Sequence, residues 1–116
     1  MFRTGGVSYL RIPAPEPHAL ARFYADVFGW TVDVEREAPS FEDGTGHVIG
    51  HFIADLPTAG KAGFLPYVYV DDVDATLERA LAGGGAVATA PYPEGDLRVA
   101  TFGDPADNII GVWQRA

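Results

Sequence analysis

The sequence predicts an α+β fold built from one unit, strand–helix–three strands, written twice. Three observations carry this reading. The apolar pattern restarts half-way along the 116 residues. Tyr9-Leu10-Arg11-Ile12 matches Tyr67-Val68-Tyr69-Val70 at an offset of 58, and Val48-Ile49-Gly50 matches Ile109-Ile110-Gly111 at an offset of 61. Each half also carries one stretch with helical apolar spacing among segments that alternate with period two. A unit of about 55 residues would bury a poor core alone. The expectation is therefore one domain over residues 1–116, with module 1 at about 5–55, a linker at 56–63 and module 2 at about 64–116.

The elements follow in order. Val7 to Ile12 reads as a strand, ended by Pro13, Pro15 and Pro17. Pro17 suits the first turn of a helix, where its missing N–H costs nothing. Leu20, Phe23, Tyr24, Val27 and Phe28 then form an apolar helical stripe, and Gly29 suits the position just past the helix. Trp30 to Arg36 alternates as a strand. "FEDGTGHVIGHFIA" reads as a hairpin turning near Asp43-Gly44-Thr45-Gly46. In the second half "FLPYVYV" is a strand, and Asp72 or Asp74 can cap a helix that carries Val73, Leu77, Ala80 and Leu81. The run Gly83-Gly84-Gly85 stops that helix. "AVATA" reads as a short strand, "PYPEGD" as a loop, and "LRVATFGD" and Asn108 to Gln114 as the last two strands.

Composition narrows the function. Sixteen acidic against eight basic residues give a formal charge of −8, which argues against nucleic acid or an anionic membrane as partner. The chain has no cysteine, so disulfides, thiolate nucleophiles and Cys-ligated metal centres are excluded. No signal peptide and no apolar run of about 20 residues is visible, and a cytoplasmic location is the expectation. No nucleophile constellation or phosphate loop appears; the glycine run lacks the lysine of a P-loop. "DDVDA" sits at a helix start, where capping and the helix dipole account for it.

Strand parity separates two kinds of face. Leu10 and Ile12 oppose Val7, Tyr9 and Arg11; Val68 and Val70 oppose Leu65, Tyr67 and Tyr69; Ile110 and Val112 oppose Ile109, Gly111 and Trp113. One face is aliphatic and suits a covering helix. The other mixes aromatics, an arginine and glycine, which suits either a ligand pocket or a partly wet sheet.

Taken together, "HALARFYADVFGW", "VYVDDVDATLERALAGGG" and "DPADNIIGVWQ" resemble the vicinal-oxygen-chelate superfamily of glyoxalase I, extradiol dioxygenases, and bleomycin- and fosfomycin-resistance proteins. "FYADVFGW" is similar to the family's FY-x-x-x-LG-[FW], and "DPADNIIGV" to its DP-x-GN-x-x-E-[LV]. The resemblance implies sheets curled into a mostly antiparallel half-barrel with a central cavity. It also implies four metal-ligand positions, which fall here on Val7, Gly50, Leu65 and Gly111. None offers a side-chain lone pair, so the expectation is a metal-independent binder without cofactor. Its partner would be a small, planar or apolar molecule, and the protein would act as a homodimer like the drug-sequestering members. A metal-dependent lyase or dioxygenase with a non-standard ligand set is the alternative.

The candidate ligand-binding residues are Tyr9, Arg11, Gly50, Phe52, Tyr67, Tyr69, Gly111 and Trp113. Arg11 stands at the spacing of a family substrate contact and could pair with an anionic or phenolic oxygen. The aromatics could stack on a planar ligand. The internal match puts Gly50 and Phe52 with them and turns His47 and His51 to the opposite face. Those two histidines are about 13 Å apart in a strand, too far to chelate one ion. His18 is expected at the surface.

Overall fold

A twelve-residue helix sets the first half. In the computed structural model, which describes residues 4, 7–56 and 64–115, α1 runs Pro17–Phe28 and buries Leu20, Ala21, Phe23, Tyr24 and Val27. Gly29 ends it in the left-handed region at φ 74°, its N–H donated to the Ala25 carbonyl, a conformation that costs glycine nothing. The strands of this half are β1 (Tyr9–Pro13), β2 (Thr31–Asp33), β3 (Ser40–Glu42) and β4 (Ile49–Ile53). They form a four-stranded open sheet in the order β1-β4-β3-β2, with β1 and β4 parallel and the other pairs antiparallel.

The second half repeats this arrangement. It holds β5 (Tyr67–Tyr69), α2 (Val73–Ala82), β6 (Ala86–Glu94), β7 (Leu97–Gly103) and β8 (Ile109–Arg115). The sheet order is β5-β8-β7-β6, again with a parallel first pair. The chain divides into two compact units, Met1–Thr58 and Ala59–Ala116, each containing one helix and one sheet. Most of the expected linker lies outside the described residues.

The core of module 1 is a closed circuit of aromatic rings. Tyr24 stacks on Trp30 at 5.0 Å, Trp30 on Phe41 at 4.8 Å, Phe41 meets Phe52 at 5.3 Å, and Phe52 returns to Tyr24 at 5.7 Å. The circuit joins the helix, Trp30 two residues beyond it, and the strands β3 and β4. Gly50 makes it possible. A β-carbon at Gly50 would collide with the Leu10 carbonyl oxygen and stand 2.6 Å from the Phe41 ring. The glycine is the slot in which Phe41 lies flat.

Module 2 ties its helix to its sheet through polar contacts. The Asp72 carboxylate caps α2 by accepting the Ala75 N–H at 3.1 Å. The Gln114 Oε1 of β8 accepts the Val73 N–H at 2.6 Å, and Arg98 of β7 pairs with Asp74 at 2.9 Å. Before β8, the buried Asp104 carboxylate accepts N–H groups from Ala106, Asn108 and the Asn108 side chain at 2.8–2.9 Å. Asp107 in this turn sits at φ 65°, the position that holds glycine in the DP-x-GN pattern.

Two sequence expectations need correction here. Residues 91–94 form no loop; β6 continues through Pro91 and Pro93 to Glu94. It does so because β6 is an edge strand, where a missing N–H is tolerated, and because two register shifts absorb the irregularity. The strand expected over Trp30 to Arg36 is only Thr31–Asp33: Trp30 turns into the aromatic core, and after Asp33 the chain bends, with the Asp33 carboxylate accepting the Glu35 N–H at 3.0 Å.

The turn between β3 and β4 depends on Asp43. Burial works against its charge and is the largest single influence. The Thr45 hydroxyl and the N–H groups of Val48, Thr45 and Gly46 together outweigh it and hold the carboxyl below its ordinary value. A lowered folded-state pKa stabilises above the unfolded-state value and loses that contribution as pH falls through the folded one. Urea titrations should therefore show wild type losing stability on acidification through the carboxylate range more than Asp43→Asn does. Asp43→Ala should cost about 1 kcal/mol at neutral pH, as loss of a capping side chain does. Gly50→Ala should cost about 2–3 kcal/mol, since neither the Leu10 backbone nor the enclosed Phe41 ring can yield without disturbing the core.

Candidate functional site

Each sheet packs one face on its own helix and leaves the other open. Pairing register decides which side chains share a face. In module 1, Arg11 stands opposite His51, His51 opposite Ser40, and Ser40 opposite Asp33. The adjacent row runs Tyr9, Ile49, Glu42 and Thr31. These two rows form the open face. The Tyr9 hydroxyl and His51 Nδ1 share a hydrogen bond of 2.8 Å, which fixes the imidazole against the sheet. Arg11 is exposed and has no acidic partner among the described residues. Beside His51 the face forms an open cavity of about 310 Å³ over β2, β3 and β4.

Neither Phe52 nor the side-chain direction of Gly50 belongs to this face, although the Gly50 backbone lines the cavity. Both lie on the helix side, Phe52 fully buried against Tyr24 and Gly50 beneath Phe41. His51 belongs on the open face in their place. The cause is a one-residue slip in the internal match. Tyr9 pairs with Ile49 as Tyr67 pairs with Gly111, so Ile49, not Gly50, is the counterpart of Gly111. One step reverses every side chain of a strand. His47 is an exposed turn residue as expected. His18 is half-buried and donates Nε2–H to the Arg36 carbonyl at 2.8 Å.

Module 2 presents a different chemistry. Tyr67, Tyr69, Gly111 and Trp113 share its open face, with Thr101, Val99 and Tyr92 beside them. Tyr69 meets Trp113 edge to face at 4.8 Å. A β-carbon on Gly111 would collide with the Tyr67 ring, so that ring occupies the space the glycine leaves. Tyr67 and Tyr69 remain 45% and 54% exposed. This is a large apolar area to leave in water, and it gives a planar group a surface to stack on. The Tyr92 phenol is pushed above its ordinary value by burial first and then by Glu94 and Tyr67. It keeps its proton at neutral pH and can donate a hydrogen bond. Phe102, fully buried, belongs to the helix side with Ile110.

Sequence reasoning missed His51, Ser40 and Glu42 on the first face and Val99, Thr101 and Tyr92 on the second. The signal for His51 was available as its alternation with Phe52, a residue apolar enough to belong under the helix.

This topology, twice over, with an open face in each unit, has a counterpart among known proteins. The glyoxalase-like domain family model matches residues 9–112. The chain belongs to the glyoxalase-like domain family. CFP32 of Mycobacterium bovis, provisionally named a glyoxylase, is 29% identical over 124 residues, covering 97% of this chain and 47% of that protein. The anthracycline biosynthesis protein DnrV of Streptomyces peucetius is 28% identical over 133 residues, covering 98% of this chain and 48% of its own. The chain thus spans about half the length of these curated relatives. The crystal structure of TnmS3, an antibiotic binding protein from Streptomyces sp. CB03234, superposes with a TM-score of 0.74 at 22% identity, covering 97% of each chain. A glyoxalase/bleomycin resistance protein/dioxygenase family enzyme from Burkholderia phytofirmans PsJN gives 0.76 at 23%, covering 94% of this chain and 98% of its own. These likenesses establish the shared fold.

The family's metal can be tested against the residues present. With the register corrected, its ligand positions fall on Val7, Ile49, Leu65 and Gly111. Their side chains offer no lone pair, so this set does not fit a divalent ion. Among the described residues no three His, Asp or Glu side chains gather as a metal site.

The two sheet glycines differ in what a methyl group would meet. Gly111→Ala should cost no more than about 1 kcal/mol, well below Gly50→Ala, because the half-exposed Tyr67 ring can swing aside. Tyr67 ring resonances should shift in the variant; a cost equal to that of Gly50→Ala would show the ring to be held.

Proposed function

We propose that the chain is a metal-independent binder of a small planar or apolar molecule, working as a homodimer. One observation carries this reading: the Tyr67 ring laid over Gly111 beside the Tyr69–Trp113 pair. A face of this kind recognises a flat surface by stacking and edge contacts, with no demand for a reactive group. The donor-poor ligand positions support independence from metal, and the antibiotic binding protein among the structural neighbours supports the class of ligand.

Trp113 gives the test its readout. In a Trp30→Phe background, anthracene-9-methanol should quench the fluorescence of Trp113 in a saturable way. Tyr69→Ala should weaken the interaction about 3- to 10-fold, the range of an aromatic pair. Absence of saturable quenching at the solubility limit of the probe would overturn the reading. So would a response to the arene that appears only after stoichiometric uptake of Ni²⁺, Zn²⁺, Mn²⁺ or Fe²⁺ by the purified protein.

A further inference from the structure

Module 1 carries a second candidate site, contained within that unit and independent of the aromatic face of module 2. Its cavity of about 310 Å³ is a furrow across β2, β3 and β4. The floor is the backbone of Val32, Phe41 and Gly50, which stand side by side in register. The peptide groups of β3 and β4 are paired on both edges, so hydrocarbon can cover them without loss of hydrogen bonds. Half-buried Ile49 gives one wall an apolar patch. The other wall runs Asp33, Ser40 and His51, and the same row continues on β1 as Arg11. Charge along this row is polarised. At the β2 end Asp33 pairs with Arg36 at 3.5 Å. At the β1 end Arg11 is exposed and has no acidic partner among the described residues. Strand spacing sets the Asp33 backbone about 14 Å from that of Arg11, and the Glu42 backbone about 12 Å from it.

His51 links the cation to the furrow. Its Nδ1 shares the 2.8 Å hydrogen bond with the Tyr9 hydroxyl. When the phenol donates that bond, the ring hydrogen sits on Nε2, and the free nitrogen is a donor beside Arg11. We propose that Arg11 and His51 Nε2–H bind the carboxylate of a small apolar monoacid, whose hydrocarbon part lies in the furrow against Ile49. A guanidinium matches a carboxylate in charge and in the spacing of its N–H groups, and the Ser40 hydroxyl, one strand further along, is a neutral donor. Glu42 and Asp33 hold the far end of the furrow negative, which rejects a second acidic group there. The net charge of −8 opposes anions at long range. Salt screens such fields beyond about 10 Å, whereas the guanidinium acts at contact. The site goes beyond the aromatic reading of module 2 and does not depend on it.

The experiment titrates the full chain with benzoate and follows the ring resonances of its three histidines by NMR. His51 should shift saturably, and the exposed turn residue His47 should not respond. Benzamide keeps the shape and removes the charge; it should bind about fivefold more weakly at low salt, the scale of one partly exposed ion pair. Acetate keeps the charge and removes the ring, and should also bind about fivefold more weakly or worse. Terephthalate, with a second carboxylate at the far end, should bind more weakly than benzoate. Arg11→Gln should remove the advantage of benzoate over benzamide, and Arg11→Lys should keep part of it. Arg11 is exposed, and an unchanged thermal midpoint will show that both variants fold. Equal affinity for benzoate and benzamide, or for benzoate and acetate, overturns the site. A preference for benzoate that survives in Arg11→Gln, or a shift at His47 equal to that at His51, overturns it as well. The aromatic reading of module 2 stands or falls separately, on the quenching of Trp113.

Discussion

Everything in this molecule that faces inward or outward is settled by how an aromatic ring lies across a glycine in the central strand of a four-stranded sheet. Phe41 covers Gly50 in β4, and Tyr67 covers Gly111 in β8. A central strand pairs on both edges, so a residue without a side chain weakens it. The loss is offset because each glycine admits a ring that could not otherwise approach the backbone. In module 1 the ring belongs to the buried face and closes a circuit through the helix. In module 2 the ring belongs to the open face and stays half in water. The same local device makes core in one copy and a potential recognition surface in the other.

That difference explains how far the sequence could be read. The elements were legible because their signals are local: the helical stripe ending at Gly29, the Asp72 cap, the Asp43 turn. The duplication was legible because strands that begin each unit keep their aromatic and aliphatic parity. The faces of β4 were not legible, because the two glycines invited alignment with each other although they serve opposite sides of their sheets. The path of β6 through two prolines was hidden for a related reason. Proline argues against a strand only when both edges must pair, and edge position is a property of the folded sheet. Arg11, Tyr9, Tyr67, Tyr69, Gly111 and Trp113 were placed on open faces correctly, since their parity was read within their own strands. Gly50 and Phe52 were misplaced because theirs was borrowed from another strand.

The two open faces divide the chemistry between them. Module 1 offers a hydrogen-bonded Tyr9–His51 pair, a cation at Arg11 and carboxylates at Glu42 and Asp33. Module 2 offers rings, with a protonated phenol at Tyr92. Duplication supplies two scaffolds of equal topology, and divergence at a handful of strand positions gives them unlike surfaces. Chelation is absent from the family's usual positions because hydrocarbon and bare backbone stand there, and the polar groups that remain lie along a neighbouring row of the sheet.

The prolines of β6 carry one more implication. Pro91 and Pro93 lie two residues apart in a strand whose pairing with β7 is already interrupted by two register shifts. Both deny a donor along the same side of that strand, and the irregular pleat gives an incoming strand nothing flat to follow. This half of the rim is thereby shielded against runaway sheet growth. An added strand would find no regular ladder to extend along this edge.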